Sequence, residues 1–289
     1  MAADVNYAGQ LATTLRSLVE ASDRCAPLDV RVLTDRFPDA MRTMVEGSLP
    51  AGSAQIQWIT VDLKQFSGYE GLTPHVSTMA YARLLIPELL PETRSRILYL
   101  DADLLVLDEV APLWTVDLQG APLGAVLDRL DPLIKAGDPG LREVPPVRDY
   151  FNSGVLLLDL ERWTAEGISE KALEFLARNP RTPFMDQDAL NVACDGRWTM
   201  LATRWNFQNH FTTRVADVDP AERPAIAHFV TSVKPWKPAA LSVNASLYDS
   251  YRSRTRFARG RRERAADFCR EAWARLKRTV RRRITVVRP

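Results

Sequence analysis

Residues 97–107 read Ile-Leu-Tyr-Leu-Asp-Ala-Asp-Leu-Leu-Val-Leu, an apolar run interrupted only by Asp101 and Asp103. Such a run predicts a buried strand in a sheet that is covered on both faces. The two acids stand at positions i and i+2, which point the same way from an extended chain. Carboxylates inside an apolar run are costly unless they are paired or bind a metal. The stretch therefore predicts an α/β sheet with Mg²⁺ or Mn²⁺ at one strand end, although a capped strand end remains the alternative.

Most of the chain alternates predicted helices and strands. Leucines and a valine in residues 11–19 have the spacing of one helix face, and residues 78–90 form a second predicted helix that Pro91 ends. Four apolar segments predict strands: 29–34, 56–61, 123–127 and 155–160. The alternation predicts one α/β domain over residues 1–250, with a mostly parallel sheet and helices on both faces.

Charge is divided unevenly along the chain. The 289 residues sum to +2, yet residues 252–289 hold fifteen Lys and Arg against three acids, which leaves −10 on the rest. Apolar residues recur among these arginines at helical spacing, which predicts a basic amphipathic helix in residues 251–289. An anionic membrane surface is the expected partner of residues 252–289. Nucleic acid is the weaker alternative, because no recognition motif accompanies the charge. A further alternative is that the basic helix docks on the acidic body of the same chain.

No segment predicts a membrane span, a secretory leader or a disulfide framework. The longest apolar runs fall short of about 18 residues, and the first residues lack the basic and apolar regions of a signal peptide. Cys25, Cys194 and Cys269 have neither an even count nor CxxC spacing, so reduced thiols are expected. These features predict a cytoplasmic protein.

Two further segments place polar residues at the start of predicted elements. In residues 2–8, Ala-Ala-Asp-Val-Asn-Tyr-Ala, either Asp4 or Asn6 caps the next helix, or the segment binds a ligand. Asn152, in the Phe-Asn-Ser-Gly turn that opens the apolar strand, bonds either to backbone or to a ligand. Both interpretations stay open from the residues alone.

Two more segments carry acids, amides and cations. Residues 184–191 read Phe-Met-Asp-Gln-Asp-Ala-Leu-Asn, and acids at the start of a helix also suit its dipole without any ligand. His228 ends an apolar stretch, where a lone histidine is more often structural than a ligand. Lys234 follows six residues later and is a cation that can meet phosphate.

Taken together, these segments resemble glycosyltransferase family 8. The resemblance rests on six motifs in the family's order: AADxNYA, YARLLIPELLP, the DxD motif YLDADLLV, FNSGVLLLDL, DQDALN and HF…KPW. The family comprises retaining, metal-dependent transferases with the GT-A fold, including bacterial lipopolysaccharide galactosyl- and glucosyltransferases and the glycogenins. The resemblance thus implies a mixed, mostly parallel GT-A sheet in residues 1–250.

The resemblance also implies a role for each matched position. Asp101, Asp103 and His228 match the ligands of a Mn²⁺ ion, with Mg²⁺ as the alternative cofactor. The implied substrate-binding positions lie around the UDP-sugar: Ala3, Asp4 and Asn6 at the uridine, Arg83, Ala102 and Lys234 at the diphosphate, and Asp128, Asn152, Asp186 and Gln187 at the sugar. Asp128, Asp186 and Gln187 are the implied catalytic residues.

The implied reaction moves galactose or glucose from UDP-hexose to a cell-surface glycan or a lipid-linked, lipopolysaccharide-type acceptor. Gln187 is an amide and a poor nucleophile, so front-face attack within an ion pair is favoured; Asp186 or Asp188 as a transient nucleophile is the alternative. Two other functions stay open, a catalytically weak sugar-nucleotide-binding protein and a self-glycosylating, glycogenin-like primer. The proline-rich residues 130–149 predict a mobile loop over the donor.

Two departures from the family pattern carry expectations of their own. Thr231 stands where the pattern has a glycine after His228, so the backbone contact with diphosphate is expected to change there. Met1 occupies the last step of the family's first strand, so we expect the natural chain to begin upstream or the sheet to fray at this edge.

Overall fold

The computed structural model describes residues 1–22, 27–68, 77–91, 96–237 and 242–260. In chain order these residues form α1 (Ala8–Ala21), β1 (Leu28–Thr34), α2 (Asp39–Glu46), β2 (Ala54–Thr60), α3 (Ile86–Leu89), β3 (Arg96–Leu100), β4 (Leu104–Val106), β5 (Leu123–Leu127), α4 (Asp131–Lys135), β6 (Phe151–Asp159), α5 (Leu160–Ala165), α6 (Ile168–Arg178), α7 (Asp186–Ala193), β7 (Thr199–Met200), β8 (Ile226–His228) and α8 (Ala245–Arg252).

The strands form three hydrogen-bonded groups. β1 and β2 pair in parallel, β4 and β8 pair antiparallel, and the largest group has the order β3-β6-β5-β7. In that group β6 is antiparallel to both neighbours, while β5 and β7 are parallel. Met1–Ala3 lies beside β1, where Ala2 forms a parallel bridge with Leu33. The predicted mixed α/β fold is confirmed.

Side chains on the two faces of the sheet belong to two different cores. Along β6, Leu156 and Leu158 enter a core that also contains residues of α6 and α7, whereas Val155 enters a core built on α1 and β1. All nine residues of β6 except Asp159 are buried, as expected for a strand covered on both faces. The helices therefore cover both faces of β6, and its polar residues lie near its two ends.

The helix predicted over residues 78–90 is helical but changes type. Thr78–Leu85 is a 3-10 helix, and only Ile86–Leu89 (α3) is an α-helix. Pro87 explains the change, because it lacks an N–H and its ring excludes the carbonyl four residues earlier, which here belongs to Arg83. The N–H of Ile86 bonds to that Arg83 carbonyl instead.

Residues 130–149 contain short helical turns, α4 and a 3-10 turn at Pro139–Leu141. The buried Asp131 accepts a hydrogen bond from the N–H of Tyr150 at 2.9 Å and pairs with Lys135 at 3.0 Å. The bond to Tyr150 ties the beginning of the segment to the residue that follows its end, and the mobility of the segment remains a prediction.

The chain after α8 stays in contact with the body as far as the structure describes it. The N–H of Arg256 donates to Ser48 Oγ at 2.9 Å, and Arg254 pairs with Glu20 at 2.7 Å. Of residues 251–289, for which a basic helix is predicted, residues 251–260 are the end of α8 and the turns after it, and residues 261–289 lie outside the described residues. In the described ranges no helix is long and apolar enough to cross a membrane.

Candidate active site

The Asp101–Asp103 turn joins two of the strand groups. β3 precedes it and pairs with β6, and the N–H of Asp101 extends this ladder by donating to the Gly154 carbonyl at 2.8 Å. β4 follows it and pairs with β8, with Leu104 opposite His228. From the other side, the buried Thr14 hydroxyl of α1 lies 2.9 Å and 2.7 Å from the carbonyl oxygens of Ala102 and Leu104. The turn is therefore fixed by three neighbouring elements.

Two carboxylates and one imidazole meet at this turn. Asp101, Asp103 and His228 each offer a ligand atom, and these atoms lie within 4.8 Å of one another. His228 Nε2 is 3.2 Å from Asp103 Oδ1 and 3.9 Å from Asp101 Oδ2. Gly154 makes the approach possible, because a Cβ there would lie 2.1 Å from His228 Cε1. Two carboxylate oxygens and a single nitrogen form a donor set that fits Mn²⁺ or Mg²⁺.

Arg83 is a buried cation held between two carboxylates. Its guanidinium lies 2.8 Å from Asp101 Oδ1 and 3.0 Å from Asp186 Oδ2, and it also donates to the Ser153 carbonyl at 2.6 Å. Burial opposes its charged form, yet Asp101 and Asp186 raise the pKa of Arg83 above its usual value. Burial raises the pKa of Asp186 to about 6, because the nearby guanidinium offsets the desolvation only in part.

Lys234 approaches the same turn from the loop after β8. Its ammonium donates to Asp103 Oδ2 at 2.6 Å and to the Phe229 carbonyl at 2.5 Å. An ammonium has three N–H groups, so one more donor can serve a ligand in the cavity. Burial disfavours the charged form of Asp103, but Lys234 holds the pKa of Asp103 well below its usual value.

On the far side of the cavity, three polar side chains bond to one another. Asn152 Nδ2 and Gln187 Nε2 donate to Asp128 Oδ2 at 2.9 Å and 3.1 Å. The N–H of Ser153 donates to Gln187 Oε1 at 3.0 Å, which fixes the direction of the Gln187 amide. The group thus presents oriented amide and carboxylate oxygens, which can bond to sugar hydroxyls.

These groups surround one cavity of about 350 Å³. The predicted site residues that line it are Ala3, Asp4, Arg83, Asp101, Ala102, Asp103, Asp128, Asn152, Asp186, Gln187 and Lys234. His228 lies beneath the lining at Asp103. Asn6 is outside it, and its N–H donates to Asp4 Oδ1 at 2.8 Å, so Asp4 caps a short turn and lines the cavity at once.

Asp188 does not belong to this lining. Its side chain is fully buried, and its two oxygens accept hydrogen bonds from Tyr150, Thr182 and the N–H of Phe184. With both oxygens occupied behind the cavity wall, Asp188 has no path to a bound sugar. Of the two aspartates considered as nucleophiles, only Asp186 lines the cavity.

Several residues of the site carry no sequence motif that could have identified them. Thr14 is one hydroxyl among the apolar positions of α1, and Asn206 follows an ordinary tryptophan. Tyr99, whose hydroxyl donates to Asp101 Oδ1 at 2.9 Å, looks like any aromatic strand residue. Of the remaining histidines, His210 is buried and contacts the Val230 carbonyl, and His75 lies outside the described residues.

Thr231, the departure from the family glycine, has a left-handed backbone with φ of 71°. This conformation is strained for a β-branched residue. Replacing Thr231 by Gly is expected to raise the free energy of unfolding by about 0.5–1 kcal/mol, with part of the gain offset by the freer unfolded chain. Urea titration measures the change. Thr212→Gly, at an exposed position with ordinary φ, should lower the free energy of unfolding instead. If both variants were less stable than the natural chain, the backbone of Thr231 would not be strained.

The fold and the site define a class of protein. A mixed α/β sheet that brings a DxD turn, a histidine and a lysine to one polar cavity is the arrangement of GT-A glycosyltransferases. The chain belongs to glycosyl transferase family 8, whose family model matches residues 1–240. The predicted family is thereby confirmed.

Relatives and solved structures agree with this assignment. General stress protein A of Bacillus subtilis is 30% identical over 88% of this chain and 92% of its own length. Lipopolysaccharide 1,2-glucosyltransferase of Escherichia coli is 26% identical over 85% of this chain and 74% of its own. The crystal structure of galactosyltransferase LgtC with donor and acceptor sugar analogs has a TM-score of 0.75 at 28% identity, covering 88% and 94% of the two chains. The chain is thus a family 8 glycosyltransferase that resembles lipopolysaccharide hexosyltransferases.

Proposed function

We propose that the chain is a retaining hexosyltransferase that transfers galactose or glucose from UDP-hexose to a cell-surface glycan or lipid-linked acceptor. One observation carries the proposal: around one cavity the chain places a cluster that could hold a metal ion, a lysine, and a group of polar side chains that can bond to sugar hydroxyls. The likeness to LgtC, solved with donor and acceptor sugar analogs, supports a sugar donor in this cavity.

On the leaving-group side, Asp101, Asp103 and His228 would hold Mn²⁺. When bound, the ion supplies positive charge against which a diphosphate leaving group is stabilised. Lys234 adds an ammonium that is held by Asp103 and the Phe229 carbonyl and has a third N–H for the diphosphate. Arg83 holds Asp101 in place through its 2.8 Å ion pair, and so acts on the leaving group by positioning a ligand.

On the sugar side, Asp128 and Asn152 orient the hexose through its hydroxyls. The Gln187 carbonyl would face the anomeric carbon and ease the positive character that develops there. Because an amide is a poor nucleophile, retention then proceeds by front-face attack, with the acceptor hydroxyl entering beside the departing diphosphate. Asp186 also lines the cavity, where Arg83 holds it at 3.0 Å.

The test is a donor screen with the full chain, Mn²⁺ and labelled UDP-galactose or UDP-glucose, with EDTA in the matched control. Transfer to a lipid or glycan extract, with the anomeric configuration of the product preserved by NMR, is the expected result. Label on the protein itself would indicate a self-glycosylating primer instead. UDP binding without turnover would indicate a sugar-nucleotide-binding protein.

We further propose that the basic segment holds the enzyme at an anionic membrane surface, on the inner face of the cell membrane. Each basic residue near such a surface contributes about 1 kcal/mol. Co-sedimentation with vesicles containing phosphatidylglycerol should fall at least tenfold when the chain is cut after Gly260, which leaves the docked residues 251–260 in place. Vesicles of phosphatidylcholine are the control, and equal binding by both chains would remove the membrane role.

A further inference from the structure

A row of four hydrogen-bonded side chains runs from the sugar wall to the metal cluster. Asn152 Nδ2 donates to Asp128 Oδ2 at 2.9 Å, Asn206 Nδ2 donates to Asn152 Oδ1 at 2.8 Å, and His228 Nδ1 is 3.0 Å from Asn206 Oδ1. Asn206 is only 1% exposed and does not line the cavity. It therefore acts on the site only through its neighbours.

The direction of every hydrogen bond in this row is set at the Asn152 end. A carboxylate only accepts, so the Asn152 amide nitrogen must face Asp128. The N–H of Gly154 independently donates to Asn152 Oδ1 at 3.1 Å, which assigns the same orientation. Asn206 must then present its amide nitrogen to Asn152 and its oxygen to His228.

The oxygen of Asn206 can only accept, so the proton between it and His228 resides on Nδ1. A neutral imidazole with its proton on Nδ1 has its lone pair on Nε2. That atom faces the two carboxylates, 3.2 Å from Asp103 Oδ1 and 3.9 Å from Asp101 Oδ2. Histidines that bind metals generally donate their other ring N–H to such a partner, which orients the ring.

We infer that Asn206 is a positioning residue, which holds His228 in the Nδ1–H tautomer and keeps its Nε2 lone pair directed at the space between Asp101 and Asp103. The inference rests on the metal site of the proposed function and adds a residue outside its ligand set. The Asn206 side chain has no polar partner besides His228 and Asn152 among the hydrogen bonds of the described residues.

The inference is tested by the Mn²⁺ affinity of the full chain, which requires no turnover. Electron paramagnetic resonance measures the free Mn²⁺ from which this affinity is calculated. Asn206→Leu should weaken Mn²⁺ binding about 10–100-fold, because Nδ1–H loses its acceptor. Asn206→Asp restores an acceptor and should recover most of the affinity. Asn244→Leu is the matched control, since Asn244 is also buried but bonds only to the backbone of His210, Thr213 and Val215. It should bind Mn²⁺ within twofold of the natural chain.

The tautomer itself is the second readout, and it is measured on the natural chain. The chain has three histidines, so the His228 imidazole is assigned by its absence from the ¹⁵N spectrum of His228→Ala. In the neutral imidazole of the metal-free chain, the proton should be on Nδ1.

The possible failures are distinguishable. An Nε2–H tautomer, or Mn²⁺ affinity of Asn206→Leu within twofold of the natural chain, would overturn the inference while the metal site stands. A natural chain that shows the Nδ1–H form but binds no Mn²⁺ would overturn the metal site of the proposed function and leave the tautomer assignment intact.

Discussion

Replacing Asp103 by Asn is expected to reduce Mn²⁺-dependent hydrolysis and transfer of UDP-hexose by about 10³-fold or more. The change removes a charged ligand from a three-ligand cluster and also frees Lys234, which now bonds to Asp103 Oδ2 at 2.6 Å. The ion and the ammonium both stabilise the leaving diphosphate, so both contributions fall together. Steady-state rates over a Mn²⁺ titration, with Mn²⁺ affinity measured separately, give the result.

The chain contains a matched control for this substitution. Asp217 also belongs to an Asp-x-Asp pair but lies exposed in a 3-10 turn and does not line the cavity. Asp217→Asn should leave the rate and the Mn²⁺ dependence within twofold. Unchanged activity of Asp103→Asn would contradict the metal assignment, whatever the control shows.

Replacing Arg83 by Met is expected to lower the free energy of unfolding by about 3–5 kcal/mol, a large share of the stability of an ordinary domain. The methionine fills similar volume, but Asp101 and the buried Asp186 lose the guanidinium that lies 2.8 Å and 3.0 Å from them. An uncompensated charge in a buried site is strongly destabilising. Urea denaturation at neutral pH measures the loss.

Two further variants separate the ion pairs from the general effect of replacing an arginine. Arg83→Lys keeps one charge but cannot reach Asp101, Asp186 and Ser153 together, so an intermediate loss is expected. Arg36→Met makes the same change at an exposed position and should alter stability by less than about 0.5 kcal/mol. If Arg83→Met were as stable as Arg36→Met, the ion pairs would contribute nothing to folding.

Local patterns predict the α/β class and the acids at one strand end, while the family resemblance predicts most of the remaining cavity wall. An apolar run that ends in Asp101 and Asp103 marks a strand end, and the motif order places Gln187 and Lys234 near it. Only the family resemblance distinguishes His228 as a ligand, since a lone histidine after an apolar stretch is ordinarily structural. The structure then brings it to 3.2 Å from Asp103.

The partners that support this wall could not be predicted from local patterns. Thr14 and Asn206 act through hydrogen bonds to residues distant in the chain, and a threonine or asparagine has no periodic signature of that task. Pro87 can be read from the sequence. Its effect on the type of helix, however, depends on which backbone carbonyl its ring would meet. The prolines of residues 130–149 predict a loop, whereas the Asp131–Lys135 pair at i, i+4 accompanies a helical turn.

The placement of the ligands on two strand groups has a mechanical consequence. Asp101 is fixed to β6 through the Gly154 carbonyl, while His228 is the last residue of β8, which pairs only with β4 among the described strands. A cation held by both would add a link between these two strand groups and reinforce the pairing of β4 with β8. Ligand binding of this kind stabilises the folded state by mass action. The metal ion would thereby stabilise the folded chain in addition to its part in the reaction.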